Sequence, residues 1–224
     1  MLTFYYHPTP NPRKVALFLE EAGLPFTLVP VDTATGEQHD AAYRAVNPNG
    51  KVPAIDDDGT LVFDSNAILL YLAEKTGKFL GDPADRGDLL SWLMFIATGL
   101  GPFSGQSVHF HRVAPDNIPY AQSRYRKETE RHYAVLNKHL KGRDFIVGHT
   151  FTIVDIAAWA WVDRAALTLG EERLGEYPEV ERWFQAIDAR PAVARARLIG
   201  QDIEFKTPGD EDSRRALYPS NYPD

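Results

Sequence analysis

Apolar positions along the chain change their period once. From Leu2 to about residue 77 short β-rich runs alternate with amphipathic helical stretches, and beyond residue 87 only helical spacing remains. Leu2-Thr3-Phe4-Tyr5-Tyr6 reads as a strand, closed by His7-Pro8-Thr9-Pro10-Asn11-Pro12. Asn11 is a good N-cap and Pro12 a good first helical residue; Val15, Leu17, Phe18, Leu19 and Ala22 then carry an apolar face that Gly23 stops. Phe26 to Val31 reads as a second strand, with Pro30 tolerated only near a sheet edge, and Asp40 to Val46 as a short helix. Asp58-Gly59, between Ala54-Ile55 and Leu61-Val62-Phe63, signals a hairpin, and a helix follows from Ser65 to about Lys75. The order βαβαββα predicts a mixed four-stranded sheet with helices on both faces, complete in residues 1–77.

Residues 78–86, with Gly81, Pro83 and alternating charges, have linker composition, and residues 87–200 read as an all-helical second domain. The helix from Leu89 to Leu100 is expected to kink or end at Gly99, Gly101 and Pro102. Tyr120 to Leu140 forms a long amphipathic helix, and Thr152-Ile153-Val154-Asp155 matches a capping box ahead of Ile156, Ala157, Trp159 and Val162. Two more helices run over Glu179 to Ala189 and Ala192 to Ile199. Trp92, Trp159, Trp161 and Trp183 read as helical core, and the polar, proline-containing residues 201–224 as an extended tail.

Composition narrows the function classes. A net charge of -7 without a basic cluster argues against nucleic acid or an anionic membrane as partner. With no cysteine in the chain there is no disulfide staple, thiolate metal site or protein-borne dithiol, so any thiol chemistry needs a bound thiol. The first residues do not form a signal peptide and no apolar run reaches membrane-spanning length, which predicts a soluble, cytoplasmic protein.

The candidate chemistry lies around Asn49-Gly50-Lys51-Val52-Pro53 and Asp64-Ser65. A proline lacks the N–H that a strand interior needs, so Pro53 belongs at a strand start, and a cis Val52-Pro53 bond there reverses the chain. Val52 is then left to pair with an extended ligand at the sheet edge. Ser65 at a helix start offers hydroxyl and N–H to a carboxylate, and Asp64 suits an ammonium; the plain alternative is a helix cap. Lys51 and Gln38 flank the same edge and suit a second carboxylate, or are simply solvated. Together these residues fit a small peptide carrying carboxylates. Thr9 and Asn11 bring donors to the start of the first helix, where a thiolate would rest, or serve only as turn and cap. His109-Phe110-His111 has no third ligand in sight, and no metal is expected there.

These motifs, in this order, resemble the glutathione S-transferase superfamily over roughly residues 1–200. Pro8-Thr9-Pro10-Asn11, Gly99-Leu100-Gly101-Pro102, Gly105-Gln106 and Glu128-Thr129-Glu130-Arg131 are similar to its nu class, of Ure2-like, disulfide-bond reductase type. The resemblance implies a thioredoxin-like N-terminal domain with a helical C-terminal domain, glutathione as substrate, and a homodimer whose site takes two glutathiones or a glutathione disulfide. It further implies that Asp64 and Ser65 take the γ-glutamyl end, that Gln38, Lys51, Val52 and Pro53 complete the glutathione contacts, and that Thr9 and Asn11 are catalytic. Gln106, His109 and Arg131 would face the second glutathione or substrate, Arg131 having an i, i+3 ion pair with Glu128 as its alternative. Tyr5 is the rival thiol activator, as in the tyrosine-type transferases. A glutathione-dependent disulfide reductase is the implied activity; the alternatives are conjugation of electrophiles or cleavage of glutathione thioethers, and a non-catalytic binding or regulatory role.

Overall fold

The computed structural model of the protein describes residues 1–207 and 209–222. The chain forms two compact units, Met1–Tyr71 with the chain from Arg195 onward, and Leu72–Ala194.

The first unit is built on strand β1 (Leu2–Tyr6), which pairs in parallel with β2 (Phe26–Pro30) and antiparallel with β3 (Ala54–Asp57); β4 (Thr60–Phe63) completes the order β2-β1-β3-β4. Period-2 alternation sets the register: Phe4 lies opposite Leu28 and Ile55, and the Phe4 and Ile55 side chains are fully buried. Pro30 ends an edge strand, where its missing N–H breaks no ladder. The β3–β4 hairpin turns on Asp58 and Gly59, both at positive φ (50° and 92°), the pair of values a two-residue primed turn requires. Helices α1 (Pro10–Ala22), α2 (Ala41–Val46) and α3 (Ser65–Thr76) complete the thioredoxin-like unit, and the Val52–Pro53 bond is cis. Helix α1 starts two residues earlier than the sequence suggests: Thr9, not Asn11, is the cap residue, and Pro10 takes the first helical position that suits its fixed φ.

The second unit is all helix within Leu72–Ala194, and α3 runs across the division at Tyr71. Helix α4 (Arg86–Phe95) does not end at the glycines. It passes through a π-helical turn (Ile96–Leu100) into α5 (Gly101–Val108), which absorbs Pro102. The glycines serve close packing instead: a Cβ at Gly99 would strike the His132 ring, and one at Gly101 would lie 2.9 Å from Trp161 Nε1. After a second π-helical turn (His109–Val113) come α6 (Pro119–His139), α7 (Ile153–Val162), α8 (Ala165–Thr168), α9 (Pro178–Asp188) and α10 (Pro191–Leu198). Every residue of α7 is buried, and its capping box is formed: Thr152 Oγ1 accepts from Val154 N–H, and Asp155 Oδ2 from Thr152 N–H. Trp159, Trp161 and Trp183 are buried in this core, while Trp92 is half-buried against His139.

The tail is not extended throughout. Residues Glu211–Leu217 form helix α11, followed by a 3-10 turn at Pro219–Asn221. Asp210 caps this helix through Ser213 N–H (2.7 Å), and Arg214 and Arg215 occupy its last turn, where cations suit the helix dipole. Within the first unit the tail is anchored by Lys206 N–H to Asp32 Oδ2 (2.7 Å), by Phe205 edge-on to His7 (4.7 Å between centroids) and by Gln38 Nε2 donating to the Ala216 carbonyl (2.9 Å). Its proline and charge content masked a capped helix that long-range contacts support.

Candidate functional site

A cavity of about 150 Å³ opens in the first unit where the loops after β1 and before β3 meet the start of α3. It is lined by Asn11, Asn47, Asn49, Lys51, Val52, Pro53, Asp64 and Ser65. Six of these were expected as site residues from sequence; Asn49 begins the stretch singled out there, and Asn47 was not expected. Tyr43 Oη and Asn47 Nδ2 both donate to the Lys51 carbonyl, at 2.6 and 2.5 Å, which fixes the loop leading into Val52. Val52 precedes β3 and lies outside both of its ladders, at the strand's N-terminal end, where an extended ligand can pair with it. Burial pushes the Tyr43 hydroxyl up to about 12, so it remains a donor at neutral pH.

Asp64, not Ser65, is the residue that caps α3. It sits at φ 70° and its Oδ1 accepts from the N–H groups of Asn66 (2.9 Å) and Ala67 (3.2 Å). Ser65 is thereby released from capping. Its hydroxyl accepts from Lys14 Nζ at 3.2 Å, and the same ammonium donates to Asn66 Oδ1 at 3.2 Å. Sequence reasoning missed Lys14 because it lies in the apolar face of α1, where a lysine reads as an exposed interruption; in the structure it is 1% exposed. Burial lowers its pKa to about 7, against the field of Asp64, which raises it.

Thr9 and Asn11 stand half-exposed at the start of α1, and the Thr9 side chain makes no cap hydrogen bond, so both carry polar groups that capping does not consume. Tyr5 does not line this cavity. Its ring packs edge-on to Tyr43 (5.7 Å between centroids) beside Val31 and Ala54, and it borders a separate cavity of about 280 Å³ with Val29, Asp40 and Val46. Gln38 is also away from the cavity lining: it is 2% exposed, with its amide directed at the Ala216 carbonyl. Lys51 remains exposed, its ammonium 5.6 Å from the centre of the Tyr218 ring. In the second unit, Gln106 is exposed on α5 and His109 opens the π-helical turn, where burial lowers its pKa and Phe110 packs edge-on against it. Arg131 makes the ion pair with Glu128 that was its alternative reading (3.0 Å), and Glu128 also binds Arg124 at 2.8 Å. These two arginines hold the Glu128 carboxyl below the usual range.

A thioredoxin-like unit with a cavity between the end of β1, the chain entering β3 and the start of α3 is the class of protein that this fold and cavity define. Two family descriptions match the chain: "Glutathione S-transferase, N-terminal domain" over residues 9–75 and "Glutathione S-transferase, C-terminal domain" over residues 119–186. The chain belongs to the glutathione S-transferase family. Among curated relatives it is 45% identical over 209 residues to the disulfide-bond oxidoreductase YfcG of Escherichia coli, covering 90% of this chain and 96% of that one. Among solved structures it is similar to a glutathione transferase family member of Pseudomonas fluorescens with two glutathione bound (TM-score 0.81, 38% identity, covering 87% of this chain and 91% of that one). It is also similar to a glutathione transferase of Pseudomonas putida with one glutathione disulfide bound per subunit (TM-score 0.80, 36% identity, 87% and 90% covered).

Proposed function

We propose that this protein is a glutathione-dependent disulfide-bond oxidoreductase of the nu class. The observation that carries the reading is a cavity offering Ser65, Asp64, Lys51 and Asn11 around Val52, which precedes β3 and lies outside its ladders, in a chain that has no cysteine of its own. The thiol must then be the ligand's. Ser65 Oγ and N–H receive the γ-glutamyl carboxylate, Asp64 its ammonium, and the Val52 backbone pairs with the cysteinyl residue. Pro53 starts the strand behind it, and Lys51 takes the glycyl carboxylate. Gln38 joins Lys51 only if its amide leaves the Ala216 carbonyl. Thr9 and Asn11 donate to the thiolate and lower its pKa from the free value of about 8.5.

The chemistry balances with glutathione alone as reductant. The bound thiolate attacks one sulfur of the substrate disulfide; that S–S bond breaks, a mixed disulfide forms, and the other sulfur leaves as a thiolate that takes a proton. A second glutathione thiolate then attacks the glutathione sulfur of the mixed disulfide, releasing glutathione disulfide and the second product thiol. We assign Gln106, His109 and Arg131 to this second glutathione, Arg131 by exchanging its Glu128 partner for a ligand carboxylate. The relatives solved with two glutathione or a glutathione disulfide bound support a site of that size. The reading includes a homodimer and a cytoplasmic location, where reduced glutathione is in supply.

The test is reduction of 2-hydroxyethyl disulfide by glutathione with and without the protein. Acceleration well above the uncatalysed rate is expected. Acceleration only of chloro-aromatic conjugation would replace this reading by that of a conjugating transferase, and glutathione binding without turnover in either assay by that of a non-catalytic binding protein.

A further inference from the structure

A lysine ammonium is among the groups least often buried without a carboxylate partner, because the desolvation penalty is large and neutral hydrogen bonds offset only part of it. Lys14 is such a case. It lies in the interior face of α1 between Pro12 and the buried run Val15–Leu19, and among the described residues its Nζ reaches two acceptors, Ser65 Oγ and Asn66 Oδ1, each at 3.2 Å. Among the described residues no carboxylate lies within ion-pair distance of it, and the charged group whose field acts on it is Asp64. The arrangement leaves a positive charge poorly compensated, directly behind the first residue of α3.

The geometry points to Lys14 as a positioning residue for the γ-glutamyl carboxylate: by donating to Ser65 Oγ from the interior side it turns the Ser65 hydroxyl hydrogen toward the cavity, and its charge completes only when the ligand anion arrives. This inference rests on the glutathione reading above. Its chemical logic is an inventory of donors. An ammonium has three donors and no acceptor, and a serine hydroxyl has a single hydrogen. Once Nζ donates to Oγ, that hydrogen must go elsewhere, and the cavity lined by Ser65 is the open direction. Asn66 Oδ1 holds the second donor, and Asp64 Oδ1, by taking the Asn66 and Ala67 N–H groups, keeps the helix start rigid without consuming the Ser65 hydroxyl. The anion is then met by a hydroxyl, a helix-start N–H and a buried cation in line behind them.

A proton linkage follows, with a definite sign. In the unliganded protein burial brings Lys14 down to about 7, so near neutral pH it is partly uncharged. An anion bound beside Ser65 favours the charged form and raises that value. Binding at about pH 7 to 8 must therefore take up protons, and affinity must fall as pH rises above about 7. Asp64, at the start of α3, is the charged group that faces the same ammonium, and its side is exposed to solvent.

The probe is S-methylglutathione, which keeps both carboxylates and the ammonium but has no ionisable thiol. Calorimetric titration of the full-length protein in two buffers of different ionisation enthalpy gives the protons exchanged. The wild type is expected to take up a fraction of a proton at about pH 7.5 and almost none at about pH 6. Lys14→Met is expected to abolish the uptake and to bind about ten-fold more weakly at pH 6.5, the usual scale for one charge-assisted hydrogen bond. Lys14→Arg keeps a charge that does not titrate, so it is expected to lose the uptake while retaining affinity within about three-fold. No uptake by the wild type, uptake persisting in Lys14→Met, or binding by Lys14→Met within about two-fold of wild type overturns the inference; if Lys14→Met does not fold, uptake persisting in Lys14→Arg does so. Failure of the wild type to bind S-methylglutathione sinks the glutathione reading itself, which separates the two failures.

Discussion

Asn11 and Tyr5 are six positions apart and part company in the structure. Asn11 lines the cavity beside Val52 and Ser65, whereas the Tyr5 ring is committed to Tyr43 and the apolar cluster of Val31 and Ala54. The difference is one of strand parity: Phe4 and Tyr6 face the buried side, so Tyr5 must point the other way, toward α2. If Thr9 and Asn11 hold the thiolate, Thr9→Ala or Asn11→Ala removes a donor aimed at negative charge. The apparent thiol pKa in the pH-rate profile is then expected to rise toward its free value of about 8.5, with turnover at neutral pH falling accordingly. Tyr5→Phe keeps the packing and is expected to leave both nearly unchanged. A raised thiol pKa in Tyr5→Phe, with normal Thr9 and Asn11 variants, would transfer the role to Tyr5. The residues hidden from the sequence at this scale are Lys14 and Asn47. A lysine within an apolar stripe and an asparagine before a proline each have an ordinary local explanation, and only their partners, Ser65 and the Lys51 carbonyl, reveal more.

Among the elements, α7 is the one whose start was most legible. Thr152 and Asp155 are local signals, and the capping box they form is present as read. What the pattern does not contain is that Asp155 also accepts from Ile146 N–H (3.0 Å) and from Trp183 Nε1 (2.9 Å), joining the loop before α7 and helix α9 to one carboxylate. Asp155→Ala strands several buried donors at about 1 to 3 kcal/mol each and is expected to destabilise by about 3 kcal/mol or more, while Thr152→Ala loses a cap worth about 1 kcal/mol. Thermal melts of both variants measure this; equal, small shifts would show that Asp155 acts only as a local cap. The tail is the opposite case. Asp210 and the two arginines of α11 are helix signals as good as those of α7, but a seven-residue helix is not stable on its own. It is docked through the Ala216 carbonyl on Gln38 and His39, and the chain before it is held at Asp32 and His7.

For the whole molecule, each unit keeps large apolar side chains in solvent. Leu61 and Phe63 are 46% and 41% exposed on edge strand β4, and Leu90 and Met94 are 36% and 45% exposed on α4. An exposed apolar edge strand is a liability unless something covers it. In the homodimer proposed above, a second copy of the chain would supply such cover for the β4 edge. Light scattering at micromolar protein is expected to give twice the chain mass, and Phe63→Asp to shift the species toward the monomer. A monomeric wild type would remove this part of the proposal.

The sequence by itself determined the βαβαββα order of residues 1–77, the hairpin at Asp58-Gly59, the capped α7 and the loops that line the candidate cavity, because each is written in neighbouring residues through periodicity, turn chemistry and capping. Tertiary structure alone decided that Lys14 lies buried behind Ser65, 51 positions away, and that Ala216 closes over Gln38, 178 positions away. The same chemical group has opposite behaviour in and out of water, so a residue's charge state and availability are set by what is folded against it, and no local pattern encodes that.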